Sequence, residues 1–470
     1  MRYVSTRGEA PPLDFVEVTL AGLARDGGLY VPESWPQLTL EEIGGFAGRP
    51  YAEVAVEVIR PFVGDVIATV ELSRMAREAY GSFRHPAVVP ITQLGVSTFM
   101  LELFHGPTLA FKDVAMQLLA RLMDHALAAR GERTTVVVAT SGDTGGAAVE
   151  AFRGRARTDV FVLFPLGRIS EVQRRMMTTA EEENVHALAI EGTFDDCQAI
   201  VKSLFNHHAF RDRVRLSGVN SINWARIVAQ VVYYFTAAAT LGAPHRKVAF
   251  TVPTGNFGDV FAGYVAARMG LPVDRLVVAT NVNDILVRTL ATGSYELRDV
   301  MPTSSPSMDI QVSSNFERLL FDAYRRDAKA VRALMNSLGQ SRRFSVSSEA
   351  LSEIRALFSA DRADEEETAA TIRTVLRETG RLIDPHTAVG IAVAEKEVRD
   401  PAMPMIVLGT AHAAKFPDAV EAACGVRPSL PEWLADLPAR RERVTTMAAD
   451  QAAVERFISA ASRAAQGAAA

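Results

Sequence analysis

The sequence predicts an α/β fold in which mostly parallel, open sheets are flanked by helices and preceded by a small extra N-terminal domain. Two observations support this fold class. From about residue 95, short β-branched runs alternate with amphipathic helical patterns, which is typical of a parallel sheet covered on both faces. Before residue 90, short helical patterns mix with turn clusters and no chemical motif stands out.

Chain length predicts more than one domain. At 470 residues the chain exceeds the size, about 250–300 residues, at which a single core stops growing. We place the N-terminal domain at residues 1–90 and a catalytic α/β region at 91–430, with a smaller subdomain near 100–190. Residues 431–470 are expected to form a C-terminal helical tail.

Six runs are predicted as buried strands because each is short, apolar and rich in β-branched residues. They are residues 134–139, 160–164, 187–190, 248–252, 276–280 and 405–408. Thr193 is expected to cap the helix that follows it, since Asp196 stands three positions later.

Composition argues against partners with large anionic surfaces. The net charge of −5 gives no general attraction for nucleic acid or for a membrane surface. The longest apolar stretch, residues 227–243, contains Gln230 and is shorter than a membrane span. Two cysteines and a start without a secretory apolar core favour a cytoplasmic location.

Two strands run into glycine-containing loops that then open helices. These are VVVATSGDTGGAAVEAF at 136–152 and VAFTVPTGNFGDVFAGYVA at 248–266. The start of a helix presents free N–H groups and partial positive charge, so such a loop can hold an anion. Neither loop matches a nucleotide P-loop or the dinucleotide fingerprint. Tight packing explains one such loop equally well, but two in one protein favour anion binding.

Lys112 is the leading candidate for covalent chemistry. It lies where the loop FHGPTLAFKD, residues 104–113, enters a helix, and its neighbours are mostly apolar. Apolar surroundings lower the pKa of a lysine and keep its amine free for a Schiff base. Among the six lysines of the chain, only Lys415, in AHAAKFPD, competes with it.

Arg226 is the leading candidate for anion binding. It follows Asn220, Ser221 and Asn223 at the start of a long apolar helix, where the helix dipole disfavours a cation. The guanidinium therefore needs an anion, which either a nearby carboxylate or a bound phosphate can supply.

Other polar residues are weaker candidates. Thr410 ends a predicted strand at the edge where open α/β sheets bind ligands, but its hydroxyl also has backbone partners within reach. His105, His386 and His412 are possible proton carriers, and each is equally well explained as a structural hydrogen bonder.

Taken together and in order, six segments resemble threonine synthases of the bacterial and fungal type: HGPTLAFKD, TSGDTG, EGTFDDCQA, NSINWARI, PTGNFGD and GTAHAAKFP. The opening segments YVSTRG and LAGLARDGGLYVP resemble the extra N-terminal domain of that family, so the resemblance covers nearly the whole chain. It implies the fold of the tryptophan synthase β subunit, called fold type II.

The resemblance implies pyridoxal 5′-phosphate as the cofactor. Lys112 would hold it as a Schiff base, Asp143 would lie near its ring hydroxyl, and Thr410 would face its pyridine nitrogen. Many relatives in the wider fold type carry Asn at the position of Asp143. The cofactor phosphate would lie against Gly255, Asn256, Phe257 and Gly258.

The resemblance also implies the reaction, in which O-phospho-L-homoserine and water become L-threonine and phosphate. Ser141 and Thr144 would hold the substrate carboxylate. The substrate phosphate would bind Ser221, Asn223 and Arg226, beside Asn220.

Three alternatives remain open at this stage. A related lyase of the same fold, such as a serine or threonine dehydratase or a phospholyase, would release a keto acid. A non-catalytic relative would keep the fold as a binding module, and a nicotinamide dehydrogenase would share only the strand–loop–helix units. The expected partner is a small molecule, and the chain is expected to act as a monomer or homodimer.

Overall fold

The computed structural model describes residues 1–467, and two open sheets dominate this part of the chain. The large sheet has six strands, all parallel except the antiparallel edge strand Ile91–Gln93. Their spatial order is Phe358–Arg362, Val273–Thr280, Val248–Pro253, Met405–Gly409, Thr98–Glu102 and Ile91–Gln93. The small sheet is entirely parallel, in the order Thr445–Ala448, Val185–Glu191, Thr158–Pro165, Thr134–Ala139 and Leu216–Ser217.

All six predicted strands are confirmed. Four of them are buried along their whole length: Thr134–Ala139, Thr158–Pro165, Val248–Pro253 and Met405–Gly409. Burial on both faces explains why these segments are continuous apolar runs without an alternating pattern. The predicted cap is also confirmed, because Thr193 and Asp196 form a capping box at the start of Phe194–Asn206.

Helices cover both sheets. In the N-terminal part they are Phe15–Ala21, Leu40–Gly44, Tyr51–Val63 and Thr69–Tyr80. Between residues 112 and 213 the helices are Lys112–Arg130, Asp143–Phe152, Glu171–Thr178, Phe194–Asn206 and His208–Arg213. Those that follow are Trp224–Thr240, Gly258–Arg268, Ile285–Thr292, Phe316–Ala323, Ala328–Ser341, Ser348–Leu357, Glu365–Thr379, Pro385–Lys396, Pro417–Cys424, Gln451–Ala461 and Arg463–Gly467.

Short elements complete the described chain. Two antiparallel ribbons pair Tyr3–Ser5 with Tyr30–Pro32 and Ser294–Glu296 with Arg343–Ser345. The 3₁₀ turns are Gly64–Val66, Pro306–Met308, Ala413–Lys415, Glu432–Leu434 and Leu437–Ala439. Within residues 1–467, no helix has both the length and the apolar character needed to cross a membrane.

The N-terminal segment supports the helix that carries Arg226. The indole of Trp224, in the first turn of Trp224–Thr240, contacts the rings of Tyr3, Trp35 and Phe62. Trp224 is fully buried by these contacts. Aromatic contacts of this kind stabilise a unique arrangement, so the N-terminal segment helps to hold the start of this helix in place.

The predicted C-terminal helical tail is only partly helical. Thr445–Ala448 is an edge strand that pairs in parallel with Val185–Glu191, and only then does Gln451–Ala461 follow as a helix. The strand was missed because it is short, mostly exposed, and pairs with a segment more than 200 residues away in the chain. With Leu216–Ser217, it also extends the small sheet beyond the predicted range of 100–190.

Candidate active site

One cavity lies where strands of the two sheets end. It is lined by residues that follow the carboxyl ends of Thr134–Ala139, Val248–Pro253 and Met405–Gly409. Open α/β sheets bind ligands at this edge. Of the residues proposed from sequence, the lining contains Lys112, Ser141, Asp143, Thr144, Asn220, Ser221, Arg226, Gly255, Asn256, Phe257, Gly258 and Thr410.

Lys112 begins the helix Lys112–Arg130 and is 9% exposed. Its Nζ lies 3.3 Å from Oδ2 of Asp143 and 4.7 Å from the centroid of the Phe111 ring. Burial lowers the pKa of Lys112, Asp143 opposes this effect, and the charge of Lys415 adds to it. The balance favours the neutral amine that attack on an aldehyde requires.

Lys415, the rival lysine, is buried but is absent from the cavity lining. It lies on the turn Ala413–Lys415, and its Nζ is 2.8 Å from Oδ1 of Asp143 and 2.8 Å from the carbonyl oxygen of Thr108. All six lysines lie within the described residues, and of these only Lys112 lines the cavity.

Asp143 lies between these two lysines and is 3% exposed. Gln173 also donates a hydrogen bond of 2.9 Å to its Oδ1. Burial by itself raises the pKa of a carboxyl group, but the charges of Lys415 and Lys112 outweigh burial and hold the pKa of Asp143 well below its ordinary range. Asp143 is therefore an anion.

Residues 255–258, here called the glycine turn, form a first anion site. Phe257 has φ of +63°, in the left-handed region, and the helix Gly258–Arg268 begins immediately after it. Throughout the described chain, no protein acceptor takes the backbone N–H groups of these four residues. A Cβ at Gly255 would overlap the carbonyl oxygen of Ser307, so only glycine fits there. These features suit a bound phosphate.

A second anion site adjoins the glycine turn and consists of Asn220, Ser221 and Arg226, here called the Arg226 pocket. A Cβ at Gly258 would lie 3.0 Å from Cβ of Ser221, so the two sites are in contact. Arg226 is 2% exposed, and within residues 1–467 its only side-chain hydrogen bond is from Nη1 to the carbonyl oxygen of Val219 at 3.2 Å.

The Arg226 pocket holds a positive charge that has no direct ion-pair partner among the described residues. Burial lowers the pKa of Arg226 to about 10, so the guanidinium stays protonated at neutral pH. In the part of the chain that is described, Arg226 has no carboxylate within 4.0 Å, and its Nε and the Asn220 Oδ1 are buried without partners. The buried carboxyl of Asp259 raises the pKa of Arg226 from a greater distance, but no carboxylate of the described chain makes a direct ion pair with the guanidinium.

Asn223 does not line the cavity, unlike Asn220, Ser221 and Arg226 of the same motif. Its side chain accepts a hydrogen bond from Ala225 N and donates to the carbonyl oxygens of Thr19 and Gly218. Its backbone N–H donates to Asn220. With these groups engaged, Asn223 caps the helix Trp224–Thr240 and so positions Arg226.

Two residues that were not singled out from sequence shape the Arg226 pocket. Asn315 donates to the Ser221 hydroxyl at 3.1 Å and to the carbonyl oxygen of Asn256 at 3.0 Å, which ties the pocket to the glycine turn. The fully buried Arg318 donates to the carbonyl oxygens of Ser221 and Ile222. No local pattern around SSNFERLL marks these roles.

Of the three candidate histidines, only His386 lines the cavity. Its Nδ1 lies 2.9 Å from Oδ1 of Asp384, and its Nε2 accepts a hydrogen bond from Ser307 N at 3.2 Å. His105 is paired with Glu102, and His412 accepts from Ala414 N. His386 thus holds the loop that closes over Gly255, and none of the three has a free ring nitrogen facing the cavity.

Asp259, which follows the glycine turn, also lines the cavity. Its Oδ1 accepts hydrogen bonds from the hydroxyls of Tyr233 and Tyr234, whereas its Oδ2 is buried without a partner. Burial raises the pKa of Asp259 to about 6, against the lowering effect of the tyrosine hydrogen bonds.

This raised pKa predicts a pH dependence of stability. Because the folded pKa exceeds the unfolded one, the stabilising contribution is complete below about pH 4 and is lost as the pH rises through about 6. In the wild type, Asp259 should lower the free energy of unfolding by about 3 kcal/mol between pH 4 and 7. Asp259→Asn is expected to abolish this fall. Urea unfolding at each pH measures it, with the exposed Asp195→Asn as control; equal pH slopes in wild type and Asp259→Asn would contradict the prediction.

Comparisons with known proteins agree with this geometry. A family model for pyridoxal-phosphate-dependent enzymes matches residues 89–406, and models for the threonine synthase N terminus and C-terminal part match residues 2–80 and 387–458. The threonine synthase of Pseudomonas aeruginosa is 55% identical over 460 residues, which cover 98% of each chain.

Solved structures show the same relationship. A pyridoxal-phosphate-bound threonine synthase from Brucella melitensis superimposes with a TM-score of 0.95 at 62% identity, covering 98% of this chain and 100% of that one. Yeast threonine synthase gives a TM-score of 0.92 at 38% identity, covering 98% of both chains. The chain therefore belongs to the threonine synthase family of pyridoxal-phosphate-dependent enzymes.

Proposed function

We propose that the substrate is O-phospho-L-homoserine and that the chain, as a carbon–oxygen lyase acting on a phosphate, converts it with water to L-threonine and phosphate. The observation that carries the proposal is the buried guanidinium of Arg226, which lines the cavity without a carboxylate partner among the described residues. A buried unpaired charge is costly. A phosphate monoester supplies both the negative charge and the hydrogen-bond acceptors that satisfy it.

The residues present fit pyridoxal 5′-phosphate. The glycine turn offers four free backbone N–H groups at a helix start, which suits the cofactor phosphate. Lys112 would supply the amine for its aldehyde. Asp143 and Thr410 line the same cavity and would face the ring hydroxyl and the ring nitrogen. When bound, the cofactor withdraws electron density from the substrate and so stabilises negative charge on its carbons.

Each remaining step uses a residue of this chain. Lys112 Nζ, whose lowered pKa favours the free amine, takes the proton from the substrate α carbon and then moves a β proton. Ser141 and Thr144 orient the substrate carboxylate. Arg226 holds the phosphate until it leaves the γ carbon, and exclusion of water until then prevents early hydrolysis. After phosphate leaves, a proton is added at the γ carbon, water adds at the β carbon, and a proton returns to the α carbon before L-threonine is released.

Product identification tests the proposal. The purified protein with O-phospho-L-homoserine is expected to release phosphate and L-threonine in equal amounts, measured by phosphate assay and chromatography. Serine and threonine, supplied separately as substrates, are the control for dehydratase activity. Formation of 2-oxobutanoate in place of threonine would assign the chain to a related lyase activity and contradict the proposed reaction.

A further inference from the structure

Three ionisable side chains form a buried row beside the cavity, and the proposed reaction gives no role to Lys415 at its far end. Lys112 Nζ lies 3.3 Å from Oδ2 of Asp143, and Lys415 Nζ lies 2.8 Å from Oδ1 of the same carboxylate. The side chains of Lys112, Asp143 and Lys415 are 11%, 4% and 1% exposed. Lys415 does not line the cavity, so it has no direct path to substrate.

The charge balance of this row explains why it contains a second lysine. A buried anion needs a partner, because an unpaired charge is strongly destabilising. With Lys415 protonated, Asp143 and Lys415 form a neutral pair, and Lys112 is free to lose its proton. Without Lys415, the carboxylate of Asp143 would depend on Lys112 for its counter-charge. Lys112 would then remain an ammonium ion, which cannot attack an aldehyde.

The polar contacts of Lys415 keep it in this arrangement. Besides Asp143, its ammonium group donates to the carbonyl oxygen of Thr108 at 2.8 Å. Its own carbonyl oxygen accepts a hydrogen bond from the Ser170 hydroxyl at 2.9 Å. Lys415 comes from the turn after the strand Met405–Gly409, so this ion pair links the large sheet to the small one.

Four other ionisable groups lie near the row. One of them is Asp259, where burial raises the pKa of the carboxyl and the charge of Lys112 acts to lower it. His386 lies on the helix packed beside it and contributes to the low pKa of Asp143. Arg226 also lowers the pKa of Lys112. Its effect is smaller than that of burial, of Asp143, which raises this pKa, and of Lys415, which lowers it. The buried carboxyl of Asp113 is engaged by Thr108 N and Oγ1. None of these groups is within hydrogen-bonding distance of Lys112 Nζ, whereas Asp143 is.

We propose that Lys415 is a positioning residue that neutralises Asp143, so that Lys112 is held as the free amine that captures the cofactor aldehyde. The ion pair of Asp143 and Lys415 has no net charge, so it does not require Lys112 to be protonated. This inference rests on the proposed covalent role of Lys112.

A charge series at two positions tests the inference. The cofactor is removed from the full-length chain, which is then exposed to pyridoxal 5′-phosphate at a range of pH values, reduced with borohydride and mapped by mass spectrometry. The midpoint of Lys112 labelling against pH reports the pKa of its amine. Circular dichroism of each variant verifies the fold, and the absorbance of the reloaded protein against pH gives an independent spectroscopic reading.

Lys415→Met is expected to raise the midpoint by about one pH unit or more, because Asp143 then acts on Lys112 alone. Asp143→Asn is expected to lower it, since it leaves Lys415 as an unpaired cation near Lys112. The double variant Asp143→Asn/Lys415→Met restores neutrality and should return the midpoint toward wild type. Lys415→Arg, which keeps the charge, and Lys396→Met, on the surface, are the controls and should shift it little.

A midpoint in Lys415→Met that equals or falls below wild type would overturn the inference. If Lys415→Met does not fold, the comparison of Asp143→Asn with the double variant decides: the double variant must have the higher midpoint. Absence of Lys112 labelling at every pH in the wild type would instead contradict the proposed covalent role of Lys112. The two failures are therefore distinguishable.

Discussion

The Lys112→Ala variant is expected to lose the visible absorbance of a borohydride-reducible Schiff base and to lower kcat by roughly 10²–10⁴-fold or more. The reason is that Lys112 is the cavity-facing lysine of the described chain and both holds the cofactor and moves the substrate protons in the proposed reaction. Absorbance spectra and phosphate release measure the two effects.

A matched control separates this effect from general loss of charge. Lys202→Ala removes an exposed helix lysine outside the cavity and is expected to leave absorbance and kcat near wild type. A Lys112→Ala protein that retains a reducible chromophore would show that another amine holds the cofactor, and Lys415 would then be the first residue to examine.

Arg226→Ala is expected to raise KM for O-phospho-L-homoserine by roughly 30-fold to several thousand-fold, while cofactor content stays near wild type. Truncating one partner of a buried charged contact costs about 2–5 kcal/mol, and each 1.4 kcal/mol is about tenfold in affinity. The cofactor phosphate is assigned to the glycine turn and not to Arg226, so the two phosphate sites should separate in the measurement.

Inorganic phosphate provides a second measurement of the Arg226 site. It should inhibit the wild type competitively and inhibit Arg226→Ala much more weakly. Arg226→Lys keeps the charge but loses the planar pair of donors, so its KM should lie between those of the wild type and Arg226→Ala. If Arg226→Ala instead loses cofactor and keeps the substrate KM, the assignment of the two anion sites is reversed.

The local parts of the site were predictable because each has a local cause. The glycine turn stands at a strand end followed by a helix start, and Arg226 stands in the first turn of an apolar helix. Both are positions where backbone N–H groups and the helix dipole act on nearby charges. The motif around Asn223 was local as well, but sequence alone does not show that its side chain points inward to Thr19 and caps the helix.

The sequence by itself determined the class of fold, the strands of the core and the two candidates for covalent and anion chemistry, because these depend on hydrophobic period, glycine placement and helix starts. Only the tertiary structure decided which lysine faces the cavity and that Asp143 is ionised between Lys112 and Lys415. Asp143 and Lys415 are more than 250 residues apart in the chain. Burial and pairing across such a separation arise from packing, and no local pattern encodes them.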